Sequence, residues 1–143
     1  MYVVSACLLG DNCKYNGGNN DTPQVRAFLE GKHYLAICPE VLGGLPVPRP
    51  AAELREGRVY NREGLDVTEQ FQAGALETLS LARKEAERLG EPVEGAILQA
   101  RSPSCGFRMI YDGSFSGRLI PGNGITAALF LEEGIPVVDG TEV

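Results

Sequence analysis

The chain has 143 residues, of which 43% are apolar and 22% charged, and its formal net charge is -6. That length buries a core without needing disulfides or metal merely to fold, so one domain spanning residues 1–143 is expected. The acidic balance disfavours a broad hold on a nucleic-acid backbone and no stable nucleic-acid complex is expected, although Arg49, Arg101 and Arg108 are candidates for a local basic patch. No apolar run approaches a membrane span. Met1-Tyr2-Val3-Val4-Ser5 lacks the basic region and apolar core of a secretory signal, so a cytoplasmic location without a membrane partner is expected. In a reducing compartment the four cysteines point to thiolate ligands, a catalytic thiol or buried hydrophobes before disulfides. The one histidine, His33, reads as a solvated loop residue and leaves little material for a histidine-rich zinc site or a serine–histidine pair.

Val3, Val4 and Ala6 read as a strand that opens into a loop, residues 10–20, too rich in glycine and asparagine for a helix or sheet interior. Thr22 before Pro23 has the pattern of an N-cap and first helical position. Val25, Phe28 and Leu29 give a short helix its apolar face, with Gly31 to end it. Tyr34 to Ile37 is a second strand, stopped by Pro39. Gly43, Gly44, Pro46, Pro48 and Pro50 make the next connection rigid and irregular.

Phe71, Ala75, Leu79, Ala82, Ala86 and Leu89 recur at spacings of three and four, which predicts a long helix. Asp66 and Glu69 resemble a capping box at its start, and Gly90 with Pro92 would stop it. Residues 93–100 read as a buried strand leading into Ser102-Pro103-Ser104-Cys105-Gly106. A glycine-rich stretch with Ile110, Tyr111 and Phe115 follows, then a helix over Ile125–Glu132 and a short strand at 136–138.

Strands alternating with helices predict an α/β fold, a single three-layer domain with a mainly parallel sheet and helices on both faces. Ligands of such sheets collect beyond the carboxyl ends of the strands, and the cysteine segments are the loops found there.

The spacing Cys7-x5-Cys13 with isolated Cys38 and Cys105 lacks the paired pattern of a structural zinc ribbon. It leaves three readings: an iron–sulfur or metal site, thiol redox or covalent chemistry with Cys105 as nucleophile, and inert buried thiols. Glu40, two residues after Cys38, is placed to be a desolvated proton donor or acceptor; the alternative is an exposed carboxylate. Ser102 and Ser104 are either ligand donors or ordinary turn hydroxyls. No glycine pattern matches a phosphate-binding loop.

Ser5-Ala6-Cys7-Leu8-Leu9-Gly10 with Cys13-Lys14-Tyr15-Asn16-Gly17, Cys38-Pro39-Glu40-Val41 with Gly43-Gly44-Leu45 and Pro48-Arg49, Arg101-Ser102-Pro103-Ser104-Cys105-Gly106, and the segment from Ile110 to Gly117 together resemble the thiouracil desulfidase family, formerly a bacterial domain of unknown function. The resemblance implies a [4Fe-4S] cluster held by only three cysteines, whose free iron takes the sulfur of a thiolated nucleobase in a hydrolysis without net redox change. It implies ligands drawn from Cys7, Cys13, Cys38 and Cys105, with Cys7, Cys38 and Cys105 favoured because each follows a different strand. Glu40 and Ser102 match the family's acid/base and substrate-orienting positions. Lys14 and Asn16 stand where arginine and aspartate are common in the family. Longer relatives that act on thiolated transfer RNA carry a further domain, so a free thiolated base or nucleoside is the expected small-molecule partner. Two competing classes use the same cysteines: a non-catalytic iron–sulfur or metal-binding sensor or store, and a thiol oxidoreductase.

Overall fold

The computed structural model describes residues 1–143. Its sheet is built from β1 (Tyr2–Ser5), β2 (Tyr34–Ile37), β5 (Gly95–Leu98) and β8 (Val137–Asp139), in the order β2-β1-β5-β8 and parallel throughout. Side chains of a strand alternate between faces, and both faces of this sheet are covered. Val3 packs with Leu79, Ala82, Ala127 and Phe130 on one face. Its neighbour Val4 joins Val25, Leu29 and Ile97 on the other. The helical partners come from α3 (Thr68–Leu89) and α4 (Ile125–Glu132) on the first face and from α1 (Pro23–Leu29) on the second, which gives the three expected layers.

From β1 the chain crosses by α1 to β2, then returns past β1 by α3 to β5. The strand order therefore reverses direction between β1 and β5, the kind of crevice where open α/β sheets bind ligands.

Several local readings are refined or corrected. Thr22 and Pro23 stand at the N-cap and in the first turn of α1 as expected, but the Thr22 hydroxyl donates to the Asn20 carbonyl at 2.7 Å rather than capping; the helix ends at Leu29, and Gly31 follows it with φ 77°. The long helix starts at Thr68; Asp66 Oδ1 accepts from Thr68 N at 2.9 Å without the reciprocal bond of a capping box. Pro39 does stop β2, but it also opens a short helix, α2 (Pro39–Leu42), because proline suits the first helical turn. Two antiparallel hairpins were not legible: β3 (Ala52–Arg55) with β4 (Arg58–Asn61), and β6 (Met109–Tyr111) with β7 (Leu119–Pro121). Both are short. Their apolar residues Leu54, Val59 and Ile110 pack with Val67 and Phe71 at the start of α3, a contact that no local pattern announces.

Arg49, Arg101 and Arg108 do not form one patch. Arg49 is buried, whereas exposed Arg108 pairs with Glu142 and its guanidinium lies 4.5 Å from the Phe107 ring centroid. His33 is exposed and pairs with Glu91.

Candidate functional site

β1 ends in a single 3-10 turn, Ala6–Leu9, that holds Cys7 buried. Cys13 lies half-buried in the loop that follows. β2 delivers half-buried Cys38, the residue before α2, and Glu40 falls in the first turn of that helix. β5 leads to the Ser102–Cys105 turn, which buries Cys105. All four cysteines, Glu40 and Ser102 line one cavity of about 590 Å³ beyond the carboxyl ends of these strands. These residues are thus brought together from three separate loops, whereas Ser104 is buried away from the cavity with its hydroxyl paired to that of Thr126 at 2.9 Å.

Glycines set this geometry. A Cβ on Gly74 of α3 would meet the Pro39 oxygen at 1.9 Å, and one on Gly43 would meet the Gln70 oxygen at 2.0 Å, so α2 rests backbone to backbone on α3. Gly124 likewise admits the Ser104 backbone, where a Cβ would stand 2.4 Å from its carbonyl oxygen, and so seats the Cys105 turn on the start of α4.

Arg49 is the polar centre of the cavity wall. Its Nε donates to Glu40 Oε1 at 3.0 Å, its Nη1 to the Pro46 carbonyl at 3.2 Å and its Nη2 to the Cys13 carbonyl at 2.9 Å, with Cys38 Sγ 3.9 Å away. Burial pushes the Glu40 carboxyl above its ordinary pKa, against the pull of the Arg49 charge and hydrogen bond. Ser102 Oγ accepts from Ser104 N at 3.1 Å and Cys105 N at 2.7 Å, which shapes the turn. Both acceptances use oxygen lone pairs, so the hydroxyl hydrogen is left to donate. Gln99 Oε1 stands 4.0 Å from Cys7 Sγ and also lines the cavity, a contact without any sequence signal.

Three of the thiols, Cys13, Cys38 and Cys105, are raised above their ordinary pKa. Burial, opposed by hydrogen bonds from Ser5 and Ser104, pushes Cys105 up to about 12. The Cys38 thiol lowers the pKa of Cys13 through a hydrogen bond, but the Cys7 thiol and burial outweigh it and leave Cys13 at about 11. Cys38 is raised by its hydrogen bond to Cys13 and by burial. Such thiols become thiolates when a cation replaces the proton.

No three cysteine, histidine or carboxylate groups converge tightly enough to ligate a single metal ion. By its chemistry the donor set, soft sulfur on three loops around a shared cavity, fits a polynuclear iron–sulfur cluster, which is held by thiolates on different irons.

Comparison with known proteins agrees with this donor chemistry. The structure is similar, with a TM-score of 0.86 and 40% sequence identity, to the [4Fe-4S]-dependent thiouracil desulfidase TudS, covering 100% of this chain and 92% of that one. An uncharacterised protein, YbbK of Bacillus subtilis strain 168, is 38% identical over 153 aligned positions, which cover 100% of this chain and 97% of YbbK. The model of the family described as 2-thiouracil desulfurase matches residues 2–142. By that match over nearly its whole length, the chain belongs to the 2-thiouracil desulfurase family.

Proposed function

We propose that this protein hydrolyses the C–S bond of a thiolated pyrimidine, releasing the oxo base and hydrosulfide, with a [4Fe-4S] cluster held by Cys7, Cys38 and Cys105. The observation that carries the reading is the convergence of all four thiols, Glu40 and Ser102 on one cavity, in a chain similar over its full length to a [4Fe-4S]-dependent thiouracil desulfidase. When bound, a cluster with three protein thiolates supplies an open iron, a soft Lewis acid suited to a thiocarbonyl sulfur.

The chain's own residues do the rest. Glu40, kept above its ordinary pKa by burial, holds or passes a proton, to a ring nitrogen or from the attacking water. Arg49 fixes the orientation of that carboxyl. The Ser102 hydroxyl, with its oxygen already anchored by two backbone N–H groups, donates to the base and orients it. Water adds to the ring carbon and the C–S bond breaks, so no electrons are exchanged and no external oxidant or reductant is needed. Lys14, Arg62 and Arg101 line the same cavity without carboxylate partners, which suits a substrate carrying a negative group beyond the base.

A thiol oxidoreductase needs a thiol of lowered pKa, and Cys105, its natural nucleophile, is buried with its pKa raised. A sensor or store has no use for Glu40 and Ser102 beside the thiols. The test is anaerobic reconstitution with iron and sulfide, followed by incubation with four-thiouracil while thiobase absorbance and sulfide release are recorded. Stoichiometric cluster with uracil and sulfide as products is expected; a fully loaded protein that turns over no thiolated pyrimidine would sink the reading.

A further inference from the structure

Loop 112–118, which joins β6 to β7, brings Phe115 into the cavity wall. Phe115 has φ 57°, in the left-handed region that an aromatic residue rarely occupies. Such strain persists only where the surroundings over-determine it, and it gathers at ligand clamps. Here the surroundings are specific. Buried Glu53, on β3, accepts from both Gly113 N and Phe115 N on one oxygen, Oε1, each at 3.1 Å. Gly113 is pressed onto the same strand, where a Cβ would meet Arg55 Cβ at 2.6 Å and the Leu54 carbonyl oxygen at 2.8 Å. The guanidinium of Arg62 lies 5.2 Å from the Phe115 ring centroid, and Glu53, Arg62 and Phe115 all line the cavity that holds the cysteines.

We propose that Phe115 is a specificity-determining residue: its ring, together with the Arg62 guanidinium, forms the wall on which the planar base stacks, and Glu53 is the positioning residue that fixes that wall. Aromatic rings and guanidinium planes are the usual platforms for unstacked bases. The inference takes its probe, a thiolated pyrimidine, from the desulfidase reading and adds the group that recognises the base.

The experiment combines steady-state kinetics of the reconstituted protein with equilibrium dialysis of four-thiouracil and of uracil. Phe115→Ala raises KM and both dissociation constants roughly tenfold while kcat changes by less than about twofold, the size expected from loss of one base-stacking contact. Phe115→Tyr restores affinity. Glu53→Leu reproduces the Phe115→Ala defect, whereas Glu53→Gln, whose amide oxygen still accepts both N–H groups, retains affinity. Iron content stays at the parent level in every variant. Unchanged KM and dissociation constants in Phe115→Ala overturn the proposal, as does a fall in kcat alone. If Glu53→Leu fails to fold, Phe115→Ala and its tyrosine rescue decide. A loaded parent that binds four-thiouracil but releases sulfide from no thiolated pyrimidine refutes the desulfidase reading, and dialysis of the Phe115 variants still decides the wall; a parent that binds neither compound overturns both.

Discussion

The Pro39 carbonyl lies so close to the Cα of Gly74 that a Cβ there would stand 1.9 Å from its oxygen. This contact aims the start of α2, and with it Cys38 and Glu40, at the cavity. Alanine in a helix interior is ordinarily about 1 kcal/mol better than glycine. Here the two backbones must separate, and overpacking of this kind costs about 1–3 kcal/mol or more. Gly74→Ala is therefore expected to lower the melting temperature and to reduce iron retained after reconstitution. A variant more stable than the parent, with full iron content, would refute the contact.

The proposed ligand set separates the cysteines: with serine at Cys7, Cys38 or Cys105, each variant should fail to retain stoichiometric iron and sulfide and lose desulfidation. Cys13→Ser should keep the cluster, since Cys13 shares its loop with Cys7. Iron and sulfide quantification on all four variants, prepared side by side, checks this; cluster loss in Cys13→Ser with retention in Cys7→Ser would exchange the two assignments.

Glu40→Gln preserves shape and an acceptor for Arg49 Nε but cannot carry the proton. Its expected outcome is normal cluster absorbance with turnover reduced roughly a hundredfold or more, the usual scale of general acid–base catalysis. Arg49→Met should behave differently: it strands a buried carboxylate and the Cys13 carbonyl, for a stability loss of about 3–5 kcal/mol. Denaturant titration of the two variants distinguishes them.

Thr68 is fully buried at the start of α3, where its Oγ1 accepts from Val59 N at 2.8 Å. Thr68→Val leaves that N–H without a partner and is expected to cost about 1–3 kcal/mol. The residue does not line the cavity, so KM for four-thiouracil should stay at the parent value. A shifted KM would show that the start of α3 shapes the site.

Asp66 accepts from Arg58 Nε at 2.6 Å and from Thr68 N at 2.9 Å, and the Arg58 hydrogen bond leads in holding its carboxyl well below the ordinary value of 3.8. A carboxyl depressed in the folded state adds stability that is present above its unfolded pKa and lost as pH falls through the folded one. Asp66→Asn should therefore flatten the stability profile on the acid side, below about pH 4, and leave its shape near neutrality unchanged. Acid titrations of parent and variant by circular dichroism test this; superimposable profiles would rule it out.

The local pattern of the chain determined the long helix α3, the helix α4 over Ile125–Glu132, the strand β2 over Tyr34–Ile37 and the α/β alternation, because each depends on apolar periodicity and on proline or glycine at its ends. The cysteine loops were legible for the same reason, since each follows a readable strand. Tertiary structure alone decided the rest. The reversal between β1 and β5 that gathers those loops depends on which face each crossover helix covers. The burial of Arg49 against Glu40, the hold of Glu53 on Phe115 and the seating of Gly74 under Pro39 join residues that no local window contains. The hairpins escaped for a further reason: their strands are stabilised by packing on α3 rather than by their own pattern.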